Sequence, residues 1–114
     1  MTWIGAFCLT QVIEIPVYLA AQRGSGRSRF GTVAVAFAAS AMTHPLVWYL
    51  FPLLPRTWGC VASVRCWYQY MVLAEAFAVL VEAVWLWRRG VARPLLWSLL
   101  ANGLSVTVGA LLFW

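Results

Sequence analysis

Charged residues are scarce in this chain of 114 residues. They make up 10% of the sequence, against roughly a quarter of a typical soluble domain, whereas hydrophobic residues make up 64%. Lysine is absent, so the basic residues are eight arginines and one histidine. A soluble fold of this length has too little interior to bury so much apolar surface. The composition therefore excludes an ordinary soluble domain and indicates a membrane protein.

The hydrophobic stretches also lack the alternation of polar and apolar residues that membrane β-strands show, which disfavours a β-barrel. Four of them approach or exceed the ~20 residues that a helix needs to span a bilayer. They cover residues 2–21, 31–54, 67–87 and 94–114. The short gaps between them favour antiparallel neighbours. The sequence thus predicts an all-α, integral membrane four-helix bundle with short loops, forming a single transmembrane domain over residues 1–114.

The arginines lie outside these segments and predict the orientation. Six fall in the first and third connections and two in the second. In order, these are Arg23, Arg27, Arg29, Arg88, Arg89 and Arg93, and then Arg56 and Arg65. The positive-inside bias places the first and third connections in the cytoplasm and both termini outside. We expect a multi-pass protein of the bacterial inner membrane. The net charge of +5 then reflects topology and contact with the lipid bilayer, and no nucleic-acid partner is expected.

In contrast, every acidic residue and the histidine lie inside the apolar segments: Glu14, His44, Glu75 and Glu82. An ionisable group at membrane depth is costly and persists mainly where it faces a bundle interior or a water-filled path. These four residues are the candidate proton- or cation-binding site.

Helix rise places the candidates in two layers. Glu14, Glu82 and Asn102 lie roughly 9–13 Å from the inner interface, and His44 and Glu75 lie near the midplane at roughly 20 Å. We expect His44 and Glu75 to be within hydrogen-bonding or one-water reach of each other. We also expect Glu82, nearer the cytoplasm, to be more hydrated than Glu75.

Supporting polar residues share faces with these groups. Thr10 lies on the face of Glu14, and Ser40 on that of His44, while Asn102 and Ser105 belong to a small-polar stripe on the fourth segment. Four such stripes can converge on one interior. Because a four-helix bundle leaves little room for a lumen, we expect a transport path to form between protomers.

Neither the cysteines nor the residue patterns of known enzymes indicate a specific function. Cys60 and Cys66 lie in the outward second connection and would form a disulfide in an oxidising periplasm, or remain two interfacial thiols. No cysteine spacing typical of a metal site occurs, and no cofactor is assigned, although a quinone or pigment site stays open. A Ser40, His44 and Glu75 triad has nonspecific spacing, and one histidine without an HExxH run is weak support for a metal hydrolase.

Two resemblances can be stated. A glutamate midway along the first of four helices, here Glu14, resembles the small multidrug resistance transporters, in which that residue binds protons and cationic drugs competitively within a dimer. The chain departs from that family by adding His44, Glu75 and Glu82 and by lacking its glycine-rich third helix. The runs E-I-P-V-Y, T-H-P-L-V-W, E-A-x5-E and A-N-G-L-S also resemble small four-helix bacterial membrane proteins of unassigned function.

Three functions follow as hypotheses. The first is an oligomeric membrane protein whose buried Glu/His site handles protons or a cation, in transport or in a channel-like role. The second is a non-catalytic subunit or assembly partner of a larger membrane complex, in which the same residues lock helices together as neutral hydrogen-bonding groups. The third is an intramembrane enzyme.

Overall fold

The computed structural model describes residues 1–54 and 63–113. Within those ranges the chain forms four α-helices and a short 3-10 turn, with no strand. The helices are α1 (Trp3–Ala21), α2 (Arg29–Tyr49), α3 (Val64–Arg88) and α4 (Pro94–Phe113), and the turn is Phe51–Leu53. All four helices are long and apolar enough to cross a membrane. The prediction of an all-helical fold with four helices long and apolar enough to span a membrane is confirmed for the described residues.

The helix ends follow capping chemistry, which hydropathy alone does not register. The hydroxyl groups of Thr2, Ser28 and Ser63 accept the backbone N–H three residues along, at 3.2, 3.0 and 3.2 Å. As a result α2 begins two residues, and α3 three residues, before the predicted starts. Helix α2 ends at Tyr49 rather than at residue 54, since Pro52 has no N–H with which to continue the α-helical ladder.

The helices are arranged in a ring. Helices α1 and α3 each pack against both α2 and α4, whereas the backbones of the diagonal pairs do not approach each other within the described ranges. Space therefore remains along the axis. The starts of α1 and α3 and the ends of α2 and α4 share one end of the bundle, which we call the terminal end. The connections at residues 22–28 and 89–93 share the other, which we call the arginine end.

Polarity is distributed as a hydrocarbon environment requires. Large apolar side chains cover the outside; Phe30 and Leu111, for example, are 85% and 80% exposed. Polar side chains fill much of the interior. Those that are buried are Gln11, Glu14, Gln22, Ser40, Thr43, His44, Glu82, Ser98 and Asn102. The helices thus present their apolar faces outward and direct hydrogen-bonding groups inward.

A hydrophobic cluster closes the interior toward the arginine end. It includes Tyr18, Val35, Leu86, Val91 and Ala101, with Tyr18, Leu86 and Ala101 at 0% exposure. Val91 joins the cluster because the chain reverses sharply after α3. Its N–H donates to the Leu86 carbonyl at 3.0 Å across Gly90, whose φ of 77° suits a residue without a side chain.

Polar contacts reinforce this closure at the connections. Gln22 is buried and donates to the backbone carbonyls of Tyr18 and Thr32, at 3.1 and 2.9 Å. Arg27 donates to the Gln22 side chain at 3.2 Å and to the backbone carbonyl of Arg89. The first connection is therefore tied to the third across the bundle, which fixes the arginine end.

Candidate functional site

The Glu82 carboxyl group, carried by α3, accepts hydrogen bonds from side chains on each of the other three helices. It accepts the hydroxyl of Tyr18 from α1, the hydroxyl of Thr43 from α2 at 2.7 Å and the amide of Asn102 from α4 at 2.8 Å. The residue is 1% exposed. Three neutral donors thus satisfy a carboxyl group that is fully removed from the surface.

Glu14 forms a second node beside it. Its carboxyl group accepts the hydroxyl of Ser40 from α2 and that of Ser105 from α4, the latter at 2.7 Å. It too is 1% exposed. Glu14 therefore joins α1 to both of its neighbours in the ring through hydroxyl donors alone.

The α4 stripe positions the donors for both carboxyl groups. Ser98 donates to the Val79 carbonyl at 2.7 Å, which anchors α4 on α3. One turn later, Asn102 donates to Glu82 and also to the Ser98 carbonyl at 3.0 Å. Ser105 follows three residues further along on the same face and reaches Glu14. The helical repeat thus directs one face of α4 at both acids.

Two of these hydroxyl groups each have a second acceptor. Ser105 lies 3.0 Å from the Asn102 carbonyl as well as 2.7 Å from Glu14. Thr43 lies 3.3 Å from the Ser40 carbonyl as well as 2.7 Å from Glu82. A hydroxyl group has one proton to donate and two lone pairs with which to accept. Each hydroxyl can therefore donate to an ionised carboxylate, or turn to the carbonyl and accept from a protonated one.

No arginine balances the two acids within residues 1–54 and 63–113, where the groups acting on Glu14 and Glu82 are hydroxyls, an amide and other carboxyls. Removing an ion from water costs several kcal/mol even after relaxation. Charge on this pair therefore has to be balanced by bound protons or by a cation that the described residues do not supply.

A cavity gives such a cation room. About 650 Å³ of space lies among the four helices, from Met1, Pro52 and Phe113 at the terminal end to Glu82 and Asn102 inside. The diagonal helix pairs leave this volume along the axis, and the Tyr18–Leu86 cluster lies beyond its inner end. This cavity lies within one chain, and the expectation that a transport path forms between protomers stays a prediction.

The remaining sequence candidates also line this cavity. Thr10, His44 and Glu75 contribute to its wall together with Glu14 and Glu82. Ser40 does not line the cavity. Its hydroxyl group donates to the Glu14 carboxyl group instead. The structure thus brings the three acids and the histidine of the membrane segments to one shared space.

The described residues show no direct hydrogen bond between His44 and Glu75, and the other expectation, reach through one water, stays a prediction. His44 Nε2 is buried and has no hydrogen-bond partner among the described residues. Its ring lies instead among those of Trp3, Phe7 and Trp48, with centroids 5.9, 5.3 and 6.0 Å away. His44 and Glu75 lie at equal depth, and both line the cavity. Depth does not determine where a side chain points, however, and the aromatic packing sets the direction of the imidazole.

The expected order of hydration is also wrong. Glu82 is 1% exposed, whereas Glu75 is only half-buried in the cavity wall. The expectation measured depth from the nearer helix end. The Leu86 cluster closes that end, however, so the cavity approaches both acids from the terminal end and reaches Glu75 first.

Two donors to Glu82, Tyr18 and Thr43, were not predicted as such, although the sequence places Tyr18 on the polar face of Glu14. Helical spacing carried the signal for each, because Tyr18 lies one turn after Glu14 and Thr43 three residues after Ser40. The choice between a Cys60–Cys66 disulfide and two interfacial thiols stays open, since Cys60 lies outside the described residues.

No family model, curated protein or solved structure matches the chain. Nor do histidine, cysteine and acidic residues in the described ranges form a group of three suited to a metal ion.

Proposed function

We propose that this chain is a bacterial inner-membrane protein, with both termini outside, that handles protons or a cation at Glu14, His44, Glu75 and Glu82 in transport or a channel-like role. The observation that carries the proposal is the Glu14–Glu82 pair. It consists of two carboxyl groups without an arginine partner in the described ranges, held by neutral donors at a cavity.

The hydroxyl network supports exchange rather than a fixed protonation state. When Glu14 releases a proton, Ser105 donates to it; when Glu14 is protonated, Ser105 accepts and turns its own proton to the Asn102 carbonyl. Thr43 offers Glu82 the same two arrangements. Neither state leaves a buried donor or acceptor unpaired, which lowers the cost of switching.

The seal at the arginine end supports a gated step rather than an open pore. A cation in the cavity is separated from that end by the Tyr18–Leu86 cluster and by the Gln22–Arg27 contacts. Tyr18 belongs to this cluster and also donates to Glu82. A proton or cation bound at Glu82 therefore acts directly on a residue of the cluster that closes the arginine end. We propose that this linkage couples binding to opening, within a homo-oligomer or a larger membrane complex.

Flux through reconstituted protein tests the proposal. The purified chain in liposomes with a potassium gradient is followed by an internal pH dye, together with Glu14→Gln and the control Thr107→Val. Thr107 is exposed, and its hydrogen bond among the described residues stays within its own helix. We expect wild type and control to move charge, and Glu14→Gln to fold but to fail, because glutamine keeps the shape and cannot exchange a proton. Equal flux in all three contradicts the assignment.

The second candidate is a non-catalytic membrane subunit, and one observation favours it. The Glu82 carboxyl group connects all four helices, as helix glue should. In that case the purified chain moves no charge, and Glu14→Gln changes stability or the recovery of a co-purifying partner instead.

A further inference from the structure

The His44 imidazole has one nitrogen, Nε2, without a hydrogen-bond partner among the described residues. The ring packs against those of Trp3, Phe7 and Trp48. In a neutral imidazole one nitrogen carries the proton and the other accepts a hydrogen bond, so Nε2 can serve as an acceptor. The residue is 9% exposed and lines the cavity. A buried acceptor without a donor has given up its hydrogen bond to water without replacing it, and this costs free energy.

Glu75 supplies more acceptors to the same space. It is half-buried, lines the cavity and lies on the face of α3 that carries Glu82. No hydrogen bond reaches its carboxyl group from residues 1–54 or 63–113, in contrast to the five donors shared by Glu14 and Glu82. The outer part of the cavity thus presents an imidazole lone pair and a carboxylate that this part of the chain does not satisfy.

The dimensions and walls of the cavity favour an organic occupant. A volume of about 650 Å³ falls within the range of pockets that hold small molecules and far exceeds the space that a bare ion needs. Trp48, Trp67 and Tyr70 contribute aromatic wall beside these acceptors, and aromatic faces attract organic cations. The absence of a three-ligand metal group in the described ranges argues in the same direction.

We propose that the outer cavity binds an organic ammonium ion bearing N–H groups, one donated to His44 Nε2 and another to Glu75. This inference rests on the proposed function, since it names the class of cation that the acidic cavity takes. A quaternary ammonium ion meets the charge requirement but offers neither acceptor a donor. The site therefore selects protonated amines over fully methylated ones.

Binding of a matched pair of probes to the full chain in detergent tests the selectivity. Benzylammonium and benzyltrimethylammonium carry the same charge and ring and differ in their N–H groups. Titration calorimetry should show benzylammonium binding about 10- to 100-fold more tightly, the range expected for hydrogen bonds to a charged group. His44→Phe keeps an aromatic ring but removes one of the two acceptors, and should lower that ratio to the part that Glu75 contributes. His44→Gln returns an acceptor near the Nε2 position and should restore part of it.

The outcomes separate this inference from the proposed function. Equal affinity of wild type for both probes, or a ratio unchanged in His44→Phe, overturns the N–H assignment while leaving a cation site in place. If neither probe binds but Glu14-dependent proton flux persists, the organic ligand is wrong and the proposed function stands. If neither binding nor flux occurs, both fail. A Thr107→Val control that kept the wild-type ratio would show that the His44 effects are local.

Discussion

Replacing Glu82 with alanine should destabilise the bundle more than any substitution on its outer face. Three donors from three other helices would lose their acceptor. Interhelical hydrogen bonds in membranes contribute on average about 0.6 kcal/mol and at most about 1.7 kcal/mol. Three of them give an expected loss of about 2–5 kcal/mol in the free energy of unfolding. The loss is shared among helices, so the whole bundle should weaken rather than one pair.

Glutamine at the same position should be intermediate. Its oxygen can still accept from Thr43, and the Tyr18 hydroxyl can turn to accept from the new amide. The amide of Asn102 cannot reverse its role, because it has no acceptor on that nitrogen. One bond is lost instead of three, and the expected cost of Glu82→Gln is about 1 kcal/mol.

Equilibrium unfolding in mixed micelles, followed by helical circular dichroism as the denaturing detergent increases, measures these differences. Val84→Ala is a matched control, since Val84 lies two residues further on the same helix and is 53% exposed. If Glu82→Ala unfolds at the same detergent fraction as Val84→Ala, the hydrogen bonds to Glu82 do not stabilise the fold. Glu82→Gln equal to Glu82→Ala would refute the donor-by-donor account.

Three further predictions concern the network and its seal. Thr43→Val should cost about 0.6–1.7 kcal/mol in the same assay, and a double-mutant cycle with Glu82→Ala should recover that amount as coupling. Leu86→Ala, at a fully buried seal position, should cost about 2–4 kcal/mol and give a proton leak in liposomes that the exposed Leu80→Ala does not. Gln22→Ala removes two bonds to backbone carbonyls and should increase the exchange rate of amide hydrogens at the end of α1, read by mass spectrometry.

Much of this architecture can be predicted from the sequence because the bilayer imposes it. Apolar runs of spanning length specify the four helices, and helical repeat places Glu14, Glu82, Asn102 and Ser105 on inward faces. The glutamate side chains have to face the interior of the bundle, since an unpaired carboxyl group facing lipid is too costly. The cavity follows less directly, because it depends on which helices are diagonal in the ring.

Sequence spacing could not settle which groups bond to which. His44 and Glu75 share a depth, yet Trp3, Phe7 and Trp48 determine where the imidazole points. Nor does depth determine hydration once one end of the bundle is sealed. That seal arises from the turn at Gly90, which returns Val91 onto Leu86, a tertiary contact that no single helix encodes.

The central claim is that the charge on the Glu14–Glu82 pair is balanced by an exchangeable proton or cation. Infrared difference spectra of the reconstituted protein, recorded as the pH is raised, test it most directly. We expect protonated carboxyl signal to convert into carboxylate signal, and Glu14→Gln and Glu82→Gln each to remove part of that change. A carboxyl spectrum that stays constant across the titration, or that neither substitution alters, would contradict the account.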